Sequence, residues 1–306
     1  MSIARPTRRT LTAGVALAAA LALAGCSSDN PLDTPSDDTG SDAPSETIVI
    51  GSQAYYSNEI IAEIYAQALE SAGHTVERQF SIGQRDAYMP EIESGAIDLF
   101  PEYTGNLLEF LDPETTATSP EDVYAALQEV LPEGLTALEY AEASDQDTYT
   151  VLTSFAEEND LVTIGDLAGV EGELVIGAAP EFEERPYGPA AAAEVYGVEL
   201  TFSATGPTTL DSLLAGEIQV ADIYSADPAF DTGDIVALED PENLILSSNI
   251  VPIASSDIAD EIAEVIDPIS AALTAEMLVS LNVQSTVDQV STPEIATSWL
   301  EENGLL

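Results

Sequence analysis

The sequence has no lysine, one histidine (His74) and one cysteine (Cys26) among its 306 residues. Without lysine a Ser–Lys catalytic pair is impossible, and one cysteine with one histidine provides neither an internal disulfide nor a typical zinc site. The sequence also lacks the Gly-x-x-x-x-Gly-Lys phosphate loop, the Gly-x-Gly-x-x-Gly dinucleotide fingerprint and the Gly-x-Ser-x-Gly nucleophile elbow. These absences argue against an enzyme, and they predict no metal and no cofactor.

Basic residues are scarce, with six Lys plus Arg against 56 Asp plus Glu and a formal net charge of −50. Nucleic acid and anionic lipid headgroups need a basic surface, so neither is an expected partner. A well-hydrated surface is the simplest explanation of the acidity, and its negative field would also draw cations toward a cleft. A secreted hydrolase built on paired carboxylates stays open as an alternative, because with this many acids no single pairing is informative.

The first 46 residues predict export and anchoring. Three arginines within the first nine residues precede an apolar run from Leu11 to Ala24 that is short for a membrane span. The run ends Leu-Ala-Gly-Cys, which resembles the lipobox of bacterial lipoproteins, so residues 1–26 are predicted to be a lipoprotein signal peptide with Cys26 lipidated. Residues 27–46 contain almost no apolar side chain and are predicted to be a flexible acidic linker. The expected location is the extracytoplasmic face of the bacterial cell membrane, with the lipid as the sole membrane contact.

From residue 47 onward, short apolar strands alternate with amphipathic helices, an order typical of α/β proteins with mostly parallel sheets. One example is the helix predicted from Asn58 to Gly73. The stretches Asp145–Leu152 and Leu244–Pro252 are both strand-like and are predicted to cross between two lobes. We therefore predict lobe I (47–148 and 253–306) and lobe II (149–252), with a ligand cleft and a hinge between them.

Two stretches share one layout. In Gly95–Tyr103 and in Gly216–Tyr224 a glycine ends a helix, an isoleucine follows two residues later, and a tyrosine stands eight residues after the glycine. In the first copy the strand Ile97–Phe100 is predicted to stop at Pro101. Two similar halves would each point one tyrosine toward a shared cleft, whereas coincidence would leave both as ordinary half-buried tyrosines.

Tyrosine rings in such places suit one chemistry. The face of the ring attracts a cation, by about 0.5 to 2 kcal/mol per contact, and a quaternary ammonium group has no N–H for a conventional hydrogen bond. Tyr103, Tyr224 and Tyr149, which stands at the start of lobe II, are therefore candidate ligand-binding residues. Asn58 lies at a helix N-terminus, where free N–H groups favour an anion.

At these residues the chain resembles a known family, the substrate-binding lipoproteins of ABC importers for glycine betaine, choline and related osmoprotectants. The similar pieces are Ile50-Gly51-Ser52-Gln53 through Asn58-Glu59-Ile60-Ile61, Asp98-Leu99-Phe100-Pro101-Glu102-Tyr103-Thr104-Gly105, Thr148-Tyr149, Glu181-Phe182-Glu183-Glu184-Arg185, Asp222-Ile223-Tyr224-Ser225-Ala226-Asp227 and Leu281-Asn282-Val283. The Pro-Glu-Tyr-Thr-Gly piece is the most specific of them.

The resemblance implies a two-lobed periplasmic-type binding fold in a monomer that serves an ABC permease and its ATPase. It also implies an aromatic cage for a small quaternary-ammonium solute, formed by Tyr103, Tyr149 and Tyr224. Polar contacts to the other end of the ligand would come from Asn58 and from the turn Thr104 to Asn106. Arg185 would clamp a carboxylate or bridge the lobes; alternatively it forms a surface ion pair.

Some positions depart from the family pattern. The family often has Gln at the position of Asn58 and Thr at that of Asn106, and it often has a fourth aromatic residue near Ser248-Asn249. The fourth wall would then come from one of four residues, Asn249, Tyr55, Tyr56 or Tyr187. A receptor for another small solute such as an amino acid, and a surface adhesion lipoprotein without a small ligand, are the further alternatives.

Overall fold

A computed structural model describes residues 47–83 and 85–306. The predicted signal peptide, Cys26 and the predicted linker 27–46 lie outside the described residues. Within the described residues the chain forms two five-stranded sheets flanked by helices. This arrangement confirms the predicted α/β class.

The first sheet has the strand order β2-β1-β3-β10-β4. Its strands are β1 (Ile48–Gly51), β2 (Val76–Gln79), β3 (Leu99–Tyr103), β4 (Leu135–Ala137) and β10 (Ile250–Ser255). Strand β1 pairs in parallel with β2 and β3, whereas β10 is antiparallel to both of its neighbours. Four strands therefore share one direction, and only β10 opposes them.

The second sheet has the order β7-β6-β8-β5-β9 and the same plan. Its strands are β5 (Asp147–Leu152), β6 (Val175–Ala178), β7 (Thr201–Ala204), β8 (Val220–Tyr224) and β9 (Ile235–Ala237). Strand β6 is parallel to β7 and β8, and β5 is antiparallel to β8 and β9. Strands β3 and β8 therefore take the same central place in the two sheets.

Helices pack on the sheets. The α-helices are α1 (Tyr56–Ser71), α2 (Arg85–Glu93), α3 (Thr104–Leu111), α4 (Pro120–Val130), α5 (Thr153–Asn159), α6 (Pro189–Tyr196), α7 (Thr209–Leu214), α8 (Ala259–Ala272), α9 (Ala275–Thr286) and α10 (Thr292–Asn303). The apolar face of α1 is formed by Ile60, Ile61, Ile64, Ala68 and Leu69, and all five are buried. No helix in the described parts of the chain is long and apolar enough to span a membrane.

The first sheet is buried on both faces, as alternate residues of β10 illustrate. Ile250 and Ala254 pack in the core beneath α1, α8, α9 and α10, whereas Val251 and Ile253 pack in the core beneath α2, α3 and α4. Successive side chains of a strand point to opposite faces, so one strand serves two cores. Both faces are covered by helices, which leaves the strand ends as the places where this sheet can contribute to a site.

The repeated layout read from the sequence is present in both sheets. Gly95 follows α2 and Gly216 follows α7, and both have positive φ angles (73° and 70°), a conformation that favours glycine. Tyr103 and Tyr224 are the last residues of β3 and β8. The matching sequence pattern therefore marks the central strand of each sheet.

The prediction that the strand stops at Pro101 is wrong. Strand β3 continues through Pro101 to Tyr103, and Pro101 lies opposite Pro252 in the antiparallel pairing with β10. Neither proline has an N–H, so this pair suits a position of the ladder where facing residues exchange no hydrogen bonds. The Pro101 carbonyl accepts a hydrogen bond from Asn58 Nδ2 at 2.8 Å. Two facing prolines thus let the strand run on to the tyrosine.

The strand predicted at Leu244–Pro252 begins only at Ile250. Before it, the Asp240 carboxylate accepts hydrogen bonds from the backbone N–H groups of Leu244 (3.0 Å) and Ile245 (2.8 Å). A carboxylate that caps successive N–H groups stabilises a turn. Apolar composition alone made this turn look like a strand.

Two segments carry the chain between the sheets and lie side by side. Ser144 and Asn249 form an antiparallel bridge, and Ile250 N donates to Ala143 O at 2.9 Å. Ser248 N donates to Gln146 Oε1, also at 2.9 Å. The outgoing segment enters the second sheet at Asp147. The return segment, which precedes β10, enters the first sheet at Ile250.

The end of β3 is held by the carboxylate of Glu102, which is fully buried. Arg85 donates to it twice, at 2.9 and 2.8 Å, and the Tyr88 hydroxyl donates at 2.6 Å. The backbone N–H of Tyr103 adds a bond of 3.0 Å. One carboxylate therefore fixes the start of α2 to the end of β3.

We predict that Glu102→Gln lowers the free energy of unfolding by about 3 kcal/mol, because it leaves Arg85 largely buried without its charge partner. The control is Glu70→Gln. Glu70 also binds an arginine (Arg78) through two hydrogen bonds, but its side chain is 42% exposed and Arg78 keeps Glu63. The Glu70→Gln variant should therefore lose less than about 1 kcal/mol of its free energy of unfolding. Urea unfolding measures both variants, and equal losses would contradict the structural role assigned to Glu102.

Candidate functional site

A cavity of about 420 Å³ lies where the two sheets approach each other. Its wall is formed by Gln53, Ala54, Tyr55, Arg85, Tyr103, Asn106, Asp145 and Tyr224. These residues come from the loop after β1, from the start of α2, from the ends of β3 and β8, from the first turn of α3 and from a crossing segment. The volume is within the usual range for small-molecule sites.

Two of the predicted tyrosines, Tyr103 and Tyr224, line this cavity. Tyr103 is buried, and its hydroxyl makes no hydrogen bond with the described residues, although Ser57 and Asn58 lie nearby. Tyr224 is 53% exposed. Partial burial, with the carboxylates of Asp147 and Asp222, raises the pKa of the Tyr224 hydroxyl to about 12, so the side chain is neutral at pH 7. The central strands thus bring one neutral ring from each sheet to the same space.

Tyr55 is a third ring on this cavity. It precedes α1, and its ring centroid lies 4.7 Å from that of Tyr56. Burial is the main cause that raises the pKa of the Tyr55 hydroxyl, followed by the charge of Asp145. Tyr55 is one of the four residues considered from the sequence for the fourth wall of the cage. Asn249 is another of the four, but its side-chain amide donates to the carbonyls of Ala141 and Glu142.

Tyr149 does not line the cavity, contrary to the sequence-based interpretation. Its side chain is 0% exposed and packs in the core of the second sheet, with its ring centroid 6.1 Å from that of Phe182. Its hydroxyl donates to the carbonyl of Tyr187 at 2.7 Å. The Tyr149 side chain lies on the same face of β5 as that of Val151, and this face packs against the helices. The ring is therefore buried. Tyr149 therefore supports Tyr187.

Asn58 and Thr104 are engaged with the backbone. Asn58 Oδ1 accepts from Gln53 N at 2.9 Å while its Nδ2 holds Pro101, so this residue fixes the loop that carries Tyr55. Thr104 Oγ1 accepts from Asn249 N at 3.0 Å. Both side chains are buried. Their polar atoms are occupied by the protein, so direct contact with a ligand is not what their geometry favours.

Asn106 lines the cavity. Asn106 is exposed, and its Oδ1 accepts a hydrogen bond from the Ser248 hydroxyl at 2.7 Å. This bond fixes the orientation of the side-chain amide. Nδ2 finds no acceptor among the described residues. The preceding residue is Gly105, where a β-carbon would collide with the Ser247 carbonyl. The glycine of the Pro-Glu-Tyr-Thr-Gly piece thus lets α3 approach the return segment closely.

Arg185 lines a smaller neighbouring cavity of about 70 Å³, shared with Asn106, Asp145, Asp147, Tyr187 and Tyr224. Its guanidinium lies 6.0 Å from the centre of the Tyr187 ring, and it forms no ion pair with any described side chain. The Tyr187 hydroxyl donates to Asp147 Oδ2 at 2.8 Å. Burial and the neighbouring Asp147 carboxylate raise the pKa of Asp222 well above its usual range. Asp222 therefore keeps its proton to a higher pH than an ordinary aspartate does.

Sequence reasoning missed two charged residues of the main cavity, Arg85 and Asp145. Arg85 is one of three arginines after residue 46, a scarcity that could have drawn attention to it. Asp145 carried no signal, because it is one of 56 acids. Only the structure separates it from the solvated carboxylates, since it is 9% exposed and one of its oxygens, Oδ1, lacks a hydrogen-bond partner among the described residues.

Comparisons with known proteins match this architecture. The family described as "Substrate binding domain of ABC-type glycine betaine transport system" matches residues 46–302. The glycine betaine-binding protein YehZ of Escherichia coli (strain K12) is 26% identical over 276 residues, which covers 84% of this chain and 90% of the relative. The glycine-betaine-binding protein of Pseudomonas aeruginosa is 24% identical over 283 residues, covering 86% and 90%.

Solved structures share the fold. Apo YehZ from E. coli superposes with a TM-score of 0.75 at 24% identity, covering 85% of this chain and 99% of that one. The crystal structure of a glycine betaine/carnitine/choline ABC transporter superposes with a TM-score of 0.78 at 17% identity, covering 84% of this chain and 99% of that one. The two-lobed periplasmic-binding-protein-like fold expected from the sequence is thereby confirmed.

The family model and the curated relatives describe substrate-binding proteins rather than enzymes, so the prediction of a non-enzyme is confirmed and the carboxylate hydrolase is not supported. Proteins of this family are extracytoplasmic, bind a small solute and work with an ABC permease and its ATPase. The match covers nearly all described residues. The chain belongs to the family of substrate-binding domains of ABC-type glycine betaine transport systems.

Proposed function

We propose that the protein is a monomeric receptor that captures a small quaternary-ammonium osmoprotectant, such as glycine betaine, choline or carnitine, and delivers it to an ABC permease. The observation that carries this proposal is the cavity of about 420 Å³ onto which Tyr55, Tyr103 and Tyr224 open. Aromatic faces attract a cation without requiring hydrogen bonds from it, which is what a trimethylammonium head needs. The names of the relatives point to the same ligand class.

The cage proposed here differs in one member from the one expected from the sequence. Tyr55 takes the place of Tyr149, while Tyr103 and Tyr224 are kept. Asn106 would meet the polar end of the ligand, and Arg185 would approach it from the smaller cavity. Asn58 and Thr104 would act indirectly, by holding the loop of Tyr55 and the return segment.

Capture would involve closure of the two lobes expected from the sequence, with their boundaries moved from 148/149 and 252/253 to Asp147 and Ile250, where the chain enters each sheet. The two adjacent crossing segments would serve as the hinge, since they are the places where the chain passes from one sheet to the other. Asn282 of α9 provides a further link, because its Nδ2 donates to Ala226 O at 2.9 Å. Closure would remove water from the cavity and strengthen each electrostatic contact.

Thermal unfolding of the full-length protein with a panel of solutes tests this function. Glycine betaine, choline or carnitine at 100 times its Kd should add roughly 2.7 kcal/mol to stability, a rise in Tm of roughly 5 to 10 °C. Stabilisation by amino acids alone would favour the alternative receptor. No shift with any solute would favour an adhesion protein and contradict the proposal.

The aromatic cage makes a separate prediction. Tyr224→Ala and Tyr103→Ala should each weaken binding of a quaternary ammonium ligand by about two- to thirtyfold, because each removes one cation–π contact. Tyr224→Phe and Tyr103→Phe keep the ring and should stay close to the wild-type affinity. Isothermal titration calorimetry on folded variants measures this. Alanine variants with unchanged affinity would exclude the cage.

The lipid anchor is likewise a proposal, and it rests on the Leu-Ala-Gly-Cys pattern. We expect the wild-type chain to fractionate with membranes and to carry an acyl modification at Cys26. Cys26→Ser should abolish that modification, because serine has no thiol to acylate. The variant chain should then carry no lipid anchor, whether or not its signal peptide is removed. Mass spectrometry of the N-terminal peptide measures the modification. An unmodified Cys26 in the wild type would contradict anchoring.

A further inference from the structure

The cavity contains a buried carboxylate that the tyrosine cage does not explain. Resting on the proposed function, we infer that Asp145 determines ligand specificity: it selects quaternary ammonium cations whose other end is uncharged, of the choline type, over zwitterionic betaines. The two ligand types share a trimethylammonium head. They differ at the other end, which is an alcohol in choline and a carboxylate in glycine betaine.

The position of Asp145 is the first support. It lies in the crossing segment between β4 and β5, is 9% exposed, and lines both the main and the smaller cavity. Its Oδ1 has no hydrogen-bond partner among the described residues. A buried anionic oxygen without a partner is unfavourable, and a cation bound in the cavity would relieve that cost.

The basic residues of the described chain do not neutralise Asp145. Arg78 is paired with Glu63 and Glu70. Arg85 lines the same cavity, but the buried Glu102 carboxylate accepts two hydrogen bonds from it. No ion pair joins Asp145 to either of them or to Arg185. A ligand therefore meets this carboxylate with its charge uncompensated.

The charges beside Asp145 strengthen the preference. Arg185 is the described cation of the smaller cavity, yet it shares that space with Glu109, Asp145 and Asp147. Asp222 lies beside Asp147, and its raised pKa reduces its own contribution to this negative charge. The surroundings thus carry more negative than positive charge. A ligand carboxylate would be repelled there, whereas an alcohol would not.

Calorimetry with choline and glycine betaine on the full-length protein tests the inference. The wild type should bind choline at least tenfold more tightly than glycine betaine. Asp145→Asn should reduce this ratio at least tenfold, through weaker choline binding with unchanged or tighter betaine binding. The control Asp288→Asn removes the same charge from an exposed turn after α9 and should leave the ratio unchanged.

The outcomes separate the inference from the proposed function. A wild type that binds no quaternary-ammonium solute, carnitine included, would overturn both, whereas one that binds carnitine but neither choline nor glycine betaine would overturn only the role of Asp145. Binding of both ligands with a preference for glycine betaine, or a ratio that Asp145→Asn changes by less than twofold, would overturn only the role of Asp145. The wild-type measurement stands even if the Asn variant does not fold.

Dependence of choline binding on pH provides a second test that needs no variant. Burial, with smaller effects from Asp227 and Asp147, raises the pKa of Asp145 to about 6, although Tyr55 and the Ala226 N–H favour the charged form. Tyr56, Tyr103 and Tyr224 also face it, and all three are neutral between pH 5 and 7.5 because burial raises their pKa values.

Below pH 6 the Asp145 carboxyl becomes neutral and stops attracting the ligand. Choline has no group that titrates in this range, so its affinity should fall several-fold from pH 7.5 to pH 5. Asp145→Asn should remove that fall, whereas Asp222→Asn, which alters the neighbouring acidic pair, should retain it. Choline affinity that is constant over this range would contradict the inference.

Discussion

The buried carboxylate of Glu102 is the constraint on which the site depends. It joins the start of α2 to the end of β3 through Arg85, and its bond to the Tyr103 N–H sets the backbone that carries the ring. Asn58 adds a second connection, from the loop of Tyr55 to Pro101. Two of the three rings that open on the cavity are therefore held by polar contacts buried beneath them. A fixed wall lets ligand binding avoid the entropy of ordering its own site.

The sequence predicts the two-sheet architecture well because the chain uses one plan twice. Gly95 and Gly216 end helices, and the central strands that follow end in Tyr103 and Tyr224. The errors come from features that local composition does not encode. Facing prolines at 101 and 252 let β3 continue, and Asp240 turns an apolar stretch away from the sheet. Both depend on a partner distant in sequence.

The sequence pattern locates Tyr103 and Tyr224 at strand ends, where the structure has them, but it does not indicate which side chains are buried. Tyr149 has a neighbourhood in sequence like that of the cavity tyrosines, but its place on β5 points it into the core of the second sheet. Asp145 could not be distinguished from the many solvated acids until its burial was known. The strongly acidic composition and the buried carboxylate have the same consequence, because both favour a cation in the cavity.

A crystal structure of the protein with choline tests the account most directly. The quaternary nitrogen should lie within about 6 Å of the ring centres of Tyr103 and Tyr224, with the Asp145 carboxylate facing it. Choline bound elsewhere, for example in the groove of about 300 Å³ that Met277, Leu281 and Trp299 line between α9 and α10, would contradict it.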